Sequence, residues 1–124
     1  MAIRVDPGLQ YVPLLNLSTY NLRQKAPREA LQRLQRLRSI CAKRQDSPGY
    51  DEQLLAPVYY NTGIAYLQLR DSKRAVFNFR KAKMLYRQFD PIQETLCVMM
   101  EAGAHARAAP LKAIRLLEFS IVQF

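Results

Sequence analysis

Residues 56–87 read APVYYNTGIAYLQLRDSKRAVFNFRKAKMLYR. In this stretch Tyr59, Thr62-Gly63 and Tyr66 are followed, after a break at Arg70-Asp71-Ser72, by Ala75, Phe79 and Ala82. Steps of three and four residues on each side of the break place each set on one face of a helix. Asp71 and Ser72 are residues that cap a helix start, so the break reads as a turn between two helices. The two helices share one seam. Gly63 and Ala75 are small where the backbones approach, and Tyr59, Tyr66 and Phe79 fill the space between them. A hairpin of this size cannot bury its apolar face alone, so neighbours are implied.

Related patterns lie on both sides. Moving back 45 residues, from Ala75 to Ala30, puts Leu14, Leu17-Ser18 and Asn21 in the first-helix positions and Leu34 and Leu37 in the second. The segments Lys25 to Ala30 and Asp71 to Ala75 then read as one turn-then-helix device. Moving forward 38 residues, to Ala113, puts Cys97, Met100 and Ala104 in the first helix and Ile114, Leu117 and Ser120 in the second. The middle pattern resembles the tetratricopeptide (TPR) repeat: an aromatic, two residues, Leu-Gly, two residues, Tyr, and later Ala with Phe four residues on. Thr62 departs from it where Leu is usual. The resemblance implies an all-α chain, a single TPR-like domain over 1–124, with three antiparallel helical hairpins at about 9–44, 53–89 and 91–123 in a right-handed α-solenoid. Proline marks helix starts at Pro13, Pro27, Pro57, Pro91 and Pro110, where its fixed φ and missing N–H are tolerated. Asp90, with Gln93 three residues on, reads as an N-cap with a capping-box partner. The expected helices are 9–24, 27–44, 53–69, 72–89, 91–107 and 110–123, with a loop around Asp46-Ser47-Pro48-Gly49.

A chain of 124 residues with 49% hydrophobic content is one domain with enough apolar mass for a core. No 18-residue apolar run suggests a membrane span. The start, Met1 to Gly8, carries Asp6, Pro7 and Gly8 where a signal peptide needs an apolar core. Cys41 and Cys97 both fall at apolar helix positions and read as buried thiols of an intracellular, reducing compartment, the cytoplasm or an organelle matrix.

In TPR proteins the first helix of each hairpin lines a concave groove. The register above assigns to it Val12, Leu15, Thr19 and Leu22, then Tyr60, Ile64 and Leu67, then Val98, Ala102 and His105. This face is mostly apolar. The family's carboxylate-clamp positions hold Leu15, Thr19, Pro57 and Met99, with only Asn61 of a fitting type, so an acidic C-terminal peptide is not the expected ligand. The face suits an amphipathic helix or an extended apolar segment, or closes on itself as ordinary core.

The net charge is +9, and 12 of the 19 basic residues fall on two predicted helices, against one acid, Glu29. These are Arg28, Arg33, Arg36, Arg38, Lys43 and Arg44 on one helix, and Lys73, Arg74, Arg80, Lys81, Lys83 and Arg87 on the other. The TPR resemblance makes both second helices, which in that family face the convex side. Such a face can contact RNA phosphates, an acidic protein or an anionic membrane surface, or serve as a solvated face. Phe77 and Met84 interrupt the basic sector.

Residues 110–124, which hold the last predicted helix, carry Phe119, Ile121, Val122 and Phe124 with other apolar residues all round the helix axis. A helix apolar all round is normally buried all round, and repeat arrays normally end in a cap with a polar outer face. A partner subunit, a second copy of the chain, or a cap missing from the sequence is expected to cover it.

Residues for catalysis are sparse. The one histidine, His105, lies four residues after Glu101, and a hydrogen-bonded surface pair is the economical reading of the two. No Cys/His cluster has metal-ligand spacing, no Gly-rich phosphate loop is present, and no cofactor is expected. The sequence therefore reads as a non-catalytic scaffold, adaptor or small chaperone that binds a protein partner or itself, as part of a larger complex. The alternative is a structural subunit of a ribonucleoprotein whose basic helices bind RNA.

Overall fold

The computed structural model describes residues 10–43 and 52–108, and the statements below concern those residues. Five helices follow in chain order: α1 (Tyr11–Arg23), α2 (Pro27–Lys43), α3 (Leu55–Gln68), α4 (Ser72–Tyr86) and α5 (Pro91–Ala108). A 3-10 turn, Glu52–Leu54, leads into α3, and no strand occurs among the described residues. The described residues are all-helical, as expected. The predicted loop around Asp46-Ser47-Pro48-Gly49, the predicted helix at 110–123, and with them Phe119, Ile121, Val122 and Phe124, lie outside the described residues.

Local chemistry sets the boundaries. Asp71 Oδ1 accepts the backbone N–H of Arg74 at 3.2 Å, and Asp90 Oδ1 accepts that of Gln93 at 3.1 Å, so both predicted aspartate caps are made. Pro27 and Pro91 are the first residues of α2 and α5. The helix predicted over 72–89 ends earlier, at Tyr86, where the turn tightens: Gln88 donates to the Leu85 carbonyl at 3.3 Å and Phe89 to that of Tyr86 at 3.0 Å, three residues back instead of four.

The turns α1–α2 and α3–α4 match bond for bond. In the first, Lys25 donates to the Leu22 carbonyl and Ala26 to that of Asn21; in the second, Arg70 donates to Leu67 and Asp71 to Tyr66. This is a Schellman closure. Each turn holds a non-glycine residue in the left-handed region, Lys25 at φ 57 and Arg70 at φ 61. An L-residue there costs roughly 1–2 kcal/mol. Lys25→Gly and Arg70→Gly are each expected to raise the urea-unfolding free energy, by up to about 1 kcal/mol. A lowered midpoint for either would contradict the assignment of strain.

Three apolar clusters form the core. Leu22 of α1, Ala30, Leu34 and Leu37 of α2, and Val58 and Ala65 of α3 form the first. Ala56, Ala82, Tyr86 and Cys97 join α3, α4 and α5 in the second. Ala75, Val76 and Phe79 meet Ala104 in the third. Leu34 and Phe79, 45 residues apart, are both fully buried. Gly63 is the close-approach point anticipated in the sequence: a Cβ there would lie 2.6 Å from Phe79 Cε1. In the corresponding place on α1 sits Ser18, also fully buried. The Asn61 amide donates at 3.2 Å to both the Ser18 and Thr19 hydroxyls, and Gln68 Nε2 donates to the Leu22 carbonyl at 2.8 Å. The Tyr11 hydroxyl donates to the Leu54 carbonyl. These bonds join positions 42 to 46 residues apart along both helices, so α1 and α3 lie side by side in the same direction.

Candidate functional site

The face predicted as a groove is only partly assembled as the sequence suggested. From α3, Tyr60, Ile64 and Leu67 are half-buried, and all three pack against the third core cluster. The Tyr60 ring meets Phe79 edge-on, with centroids 5.8 Å apart. From α1, Val12 is exposed, Leu15 is half-buried against the first cluster, Thr19 accepts from Asn61, and Leu22 is core. Asn61 thus spends its amide N–H on α1 and has none left for a ligand carboxylate.

On α5 the placement differs from the one read in the sequence. Val98 and Ala102 are buried, and His105 turns toward α4. The residues that face outward are Ile92, Leu96 and Met99, exposed by 65%, 37% and 44%. Spaced by four and three residues, they fall within about 60° on the helical wheel. Gly103 continues the same stripe with open space around its Cα. Met100, beside Leu96 on the wheel, packs against the third core cluster, as do Tyr60, Ile64 and Leu67. It thereby joins the α5 stripe to the α3 face. The signal for Ile92, Leu96 and Met99 was present as an i, i+4, i+7 pattern.

The basic residues of the second helices fall into two groups. Arg80 Nε lies 2.5 Å from Glu101 Oε1, and Lys83 Nζ lies 3.5 Å from Glu101 Oε2. Arg87 approaches Glu94 at 3.6 Å, and Arg74 pairs with Asp71 at 2.7 Å. Of the α4 cations, Lys73 and Lys81 alone have no ion-pair partner among the described residues. On α2, Arg33, Arg36, Arg38 and Lys43 have none either. Arg33 instead donates to the Glu29 carbonyl, and Arg38 lies over the Tyr59 ring at 5.3 Å.

Glu101 and His105 are not the surface pair expected. The Glu101 side chain is 3% exposed, with His105 Nε2 3.6 Å from its Oε1. Arg80 and Lys83 enclose the same carboxylate, so the group ties α5 to α4. A carboxylate taken out of water in this way needs its cations. The Asp71 carboxyl is held below its usual range by the backbone and side-chain hydrogen bonds of Arg74.

Both cysteines are buried. Burial pushes the Cys97 thiol up to about 12 and raises the Tyr11 and Tyr86 phenols well above their ordinary range. All three are held neutral. The stabilisation this gives is complete below the ordinary thiol value of 9.0 and is lost as pH rises through the folded value. The urea midpoint is therefore expected to fall above about pH 9, with Cys97 unreactive to a thiol reagent in the native state. A midpoint flat to about pH 11 would contradict this.

Among the described residues, no group of three His, Cys, Asp or Glu side chains is placed to hold a metal, and no helix is long and apolar enough to cross a membrane. The chain matches no protein-family profile, no curated protein and no solved structure.

Proposed function

We propose that the chain is a non-catalytic, TPR-like scaffold that holds an apolar helix or extended segment of a protein partner within a larger complex. The observation that carries this is the outward stripe Ile92–Leu96–Met99 on α5, continued through Met100 to Tyr60, Ile64 and Leu67 on α3. Apolar side chains exposed in a continuous row mark a binding surface more often than scattered ones do. Two observations support the repeat reading. The two Schellman turns are equivalent at a fixed offset, and α1 and α3 run parallel at nearly the same offset. A unit of this kind buries its seams against neighbours and leaves one face for ligands.

Affinity capture of the full chain from its native cell tests the reading when paired with Leu96→Asp/Met99→Asp. Both positions are exposed, so the variant keeps its fold. Protein partners that survive nuclease and sulfate, and that the variant loses, are expected, since apolar interactions hold or tighten in sulfate. The same partners on both baits would overturn the proposal.

A further inference from the structure

On the opposite side of α3, helices α2 and α4 leave a cleft of about 210 Å³. Gln35 and Arg38 of α2 form one wall, Arg74, Phe77 and Asn78 of α4 the other, and Tyr66 of α3 lies in the floor. It shares no residue with the apolar stripe on α5 or with Tyr60, Ile64 and Leu67, so it is a second site. Phe77 is 58% exposed at the rim, and Lys81 Nζ sits over its ring at 5.4 Å. Arg74 lies over the Tyr66 ring at 5.8 Å. Arg38 and Arg74 thus line the cleft, and Lys81 stands beside it over one face of the exposed Phe77 ring.

We propose that this cleft binds single-stranded nucleic acid: Phe77 stacks one unpaired base while Arg38, Arg74 and Lys81 hold the flanking phosphates. Three features select this occupant over an acidic peptide. Alternation of cations with an exposed ring is the arrangement that single strands use, because each nucleotide offers a phosphate and a flat face. A carboxylate side chain gains nothing from the Phe77 ring. Asn78, buried in one wall, donates its amide N–H to the Arg74 carbonyl at 2.8 Å, and the exposed Gln35 amide on the facing wall offers a donor and an acceptor to a base edge. The volume is below the usual range for a drug-sized ligand, about 300–1,000 Å³, and suits one ring system at a time.

The charge balance also separates this cleft from the rest of α4. Arg80, Lys83 and Arg87 are spent on Glu101 and Glu94 of α5. Arg38 and Lys81 have no such partner among the described residues. The carboxylate of Asp71, paired with Arg74, stands at one end of the cleft. That pair is exposed to solvent, and exposed pairs contribute little, so a phosphate can take its place on the guanidinium.

The test is fluorescence anisotropy with a labelled uridine decamer, a duplex RNA of the same length and polyglutamate as competitor, on the full chain. Phe77→Ala is expected to weaken decamer binding about tenfold, and Phe77→Tyr to retain it. Arg38→Gln/Lys81→Gln is expected to lower the slope of log affinity on log salt by roughly 1.4, about 0.7 for each phosphate that the variant no longer neutralises. Circular dichroism of Phe77→Ala should be unchanged, since the ring packs on no buried cluster. Equal decamer affinity for wild type and Phe77→Ala, tighter binding of duplex than of single strand, or no decamer binding at about 50 mM salt would each overturn the proposal. Displacement by polyglutamate as readily as by unlabelled decamer would assign the cleft to an acidic protein instead.

Discussion

Gly63→Val is expected to remove a large part of the stability of this protein. A Cβ at position 63 would stand 2.6, 2.8 and 2.9 Å from three atoms of the Phe79 ring. Phe79 is fully buried, with Tyr60 edge-on at 5.8 Å, so the ring cannot swing aside. Alanine in place of glycine gains about 1 kcal/mol in a helix interior, whereas overpacking a filled core costs about 1–3 kcal/mol. For alanine the overpacking outweighs the helix gain, and a net loss of about 0–2 kcal/mol is expected. Valine adds two methyl groups to the same gap and gains less from the helix, so its loss should exceed about 3 kcal/mol. Against a typical total of about 5–15 kcal/mol, that change is easily read in urea unfolding by circular dichroism. Phe79→Leu should recover part of the Gly63→Val loss by shortening the opposing side chain. A Gly63→Ala variant more stable than the parent would show that the α3–α4 seam is looser than these distances imply.

The double variant Arg80→Leu/Lys83→Leu is expected to cost about 3–5 kcal/mol, the usual consequence of stranding a buried charge. Glu101 is 3% exposed, while Arg80 is 55% and Lys83 23% exposed. The asymmetry decides which side of the interaction matters. Removing the cations leaves a carboxylate out of water, whereas removing the carboxylate leaves two cations that can turn into solvent. Adding Glu101→Leu to the double variant should therefore restore most of the loss, measured by urea midpoints of the three proteins. If the double variant alone is as stable as wild type, the cluster does not hold α5 against α4. The same asymmetry limits charge reversal at Arg80 or Lys83 as a probe of RNA binding, because it would place acids beside Glu101. Lys81 and Arg38 serve that purpose without disturbing the fold.

Much of the fold was legible because it rests on short-range chemistry. Asp71, Asp90, Pro27 and Pro91 mark helix starts by which backbone N–H they satisfy or lack, and a reader of the sequence can place them without knowing what packs where. The seam of the middle hairpin was legible for a related reason: Gly63, Ala75 and Phe79 are sizes that fit only one way together. The candidate site was less legible. Helix α5 is apolar on two sides, so its sequence allows two registers. The repeat offset of 38 residues assigned Val98 and Ala102 to the open face, while packing against the rest of the chain buries both and turns Ile92, Leu96 and Met99 outward. Glu101 was equally hidden, because its cations come from 18 and 21 residues away and no local pattern announces a buried carboxylate. The basic helices looked uniform along the chain. Only the pairing of Arg80, Lys83 and Arg87 with α5 leaves Arg38 and Lys81 as the open charges beside the cleft.

The claim that the α3–α5 face holds a protein partner is tested most directly by site-specific photocrosslinking in the native cell. A benzophenone side chain is placed in turn at Met99, on the outward stripe, and at Gln32, exposed on α2. One discrete protein adduct is expected from position 99, mapping to an apolar segment of the partner, and none of that mass from position 32. No adduct from position 99, or the same adduct from both, would contradict the claim.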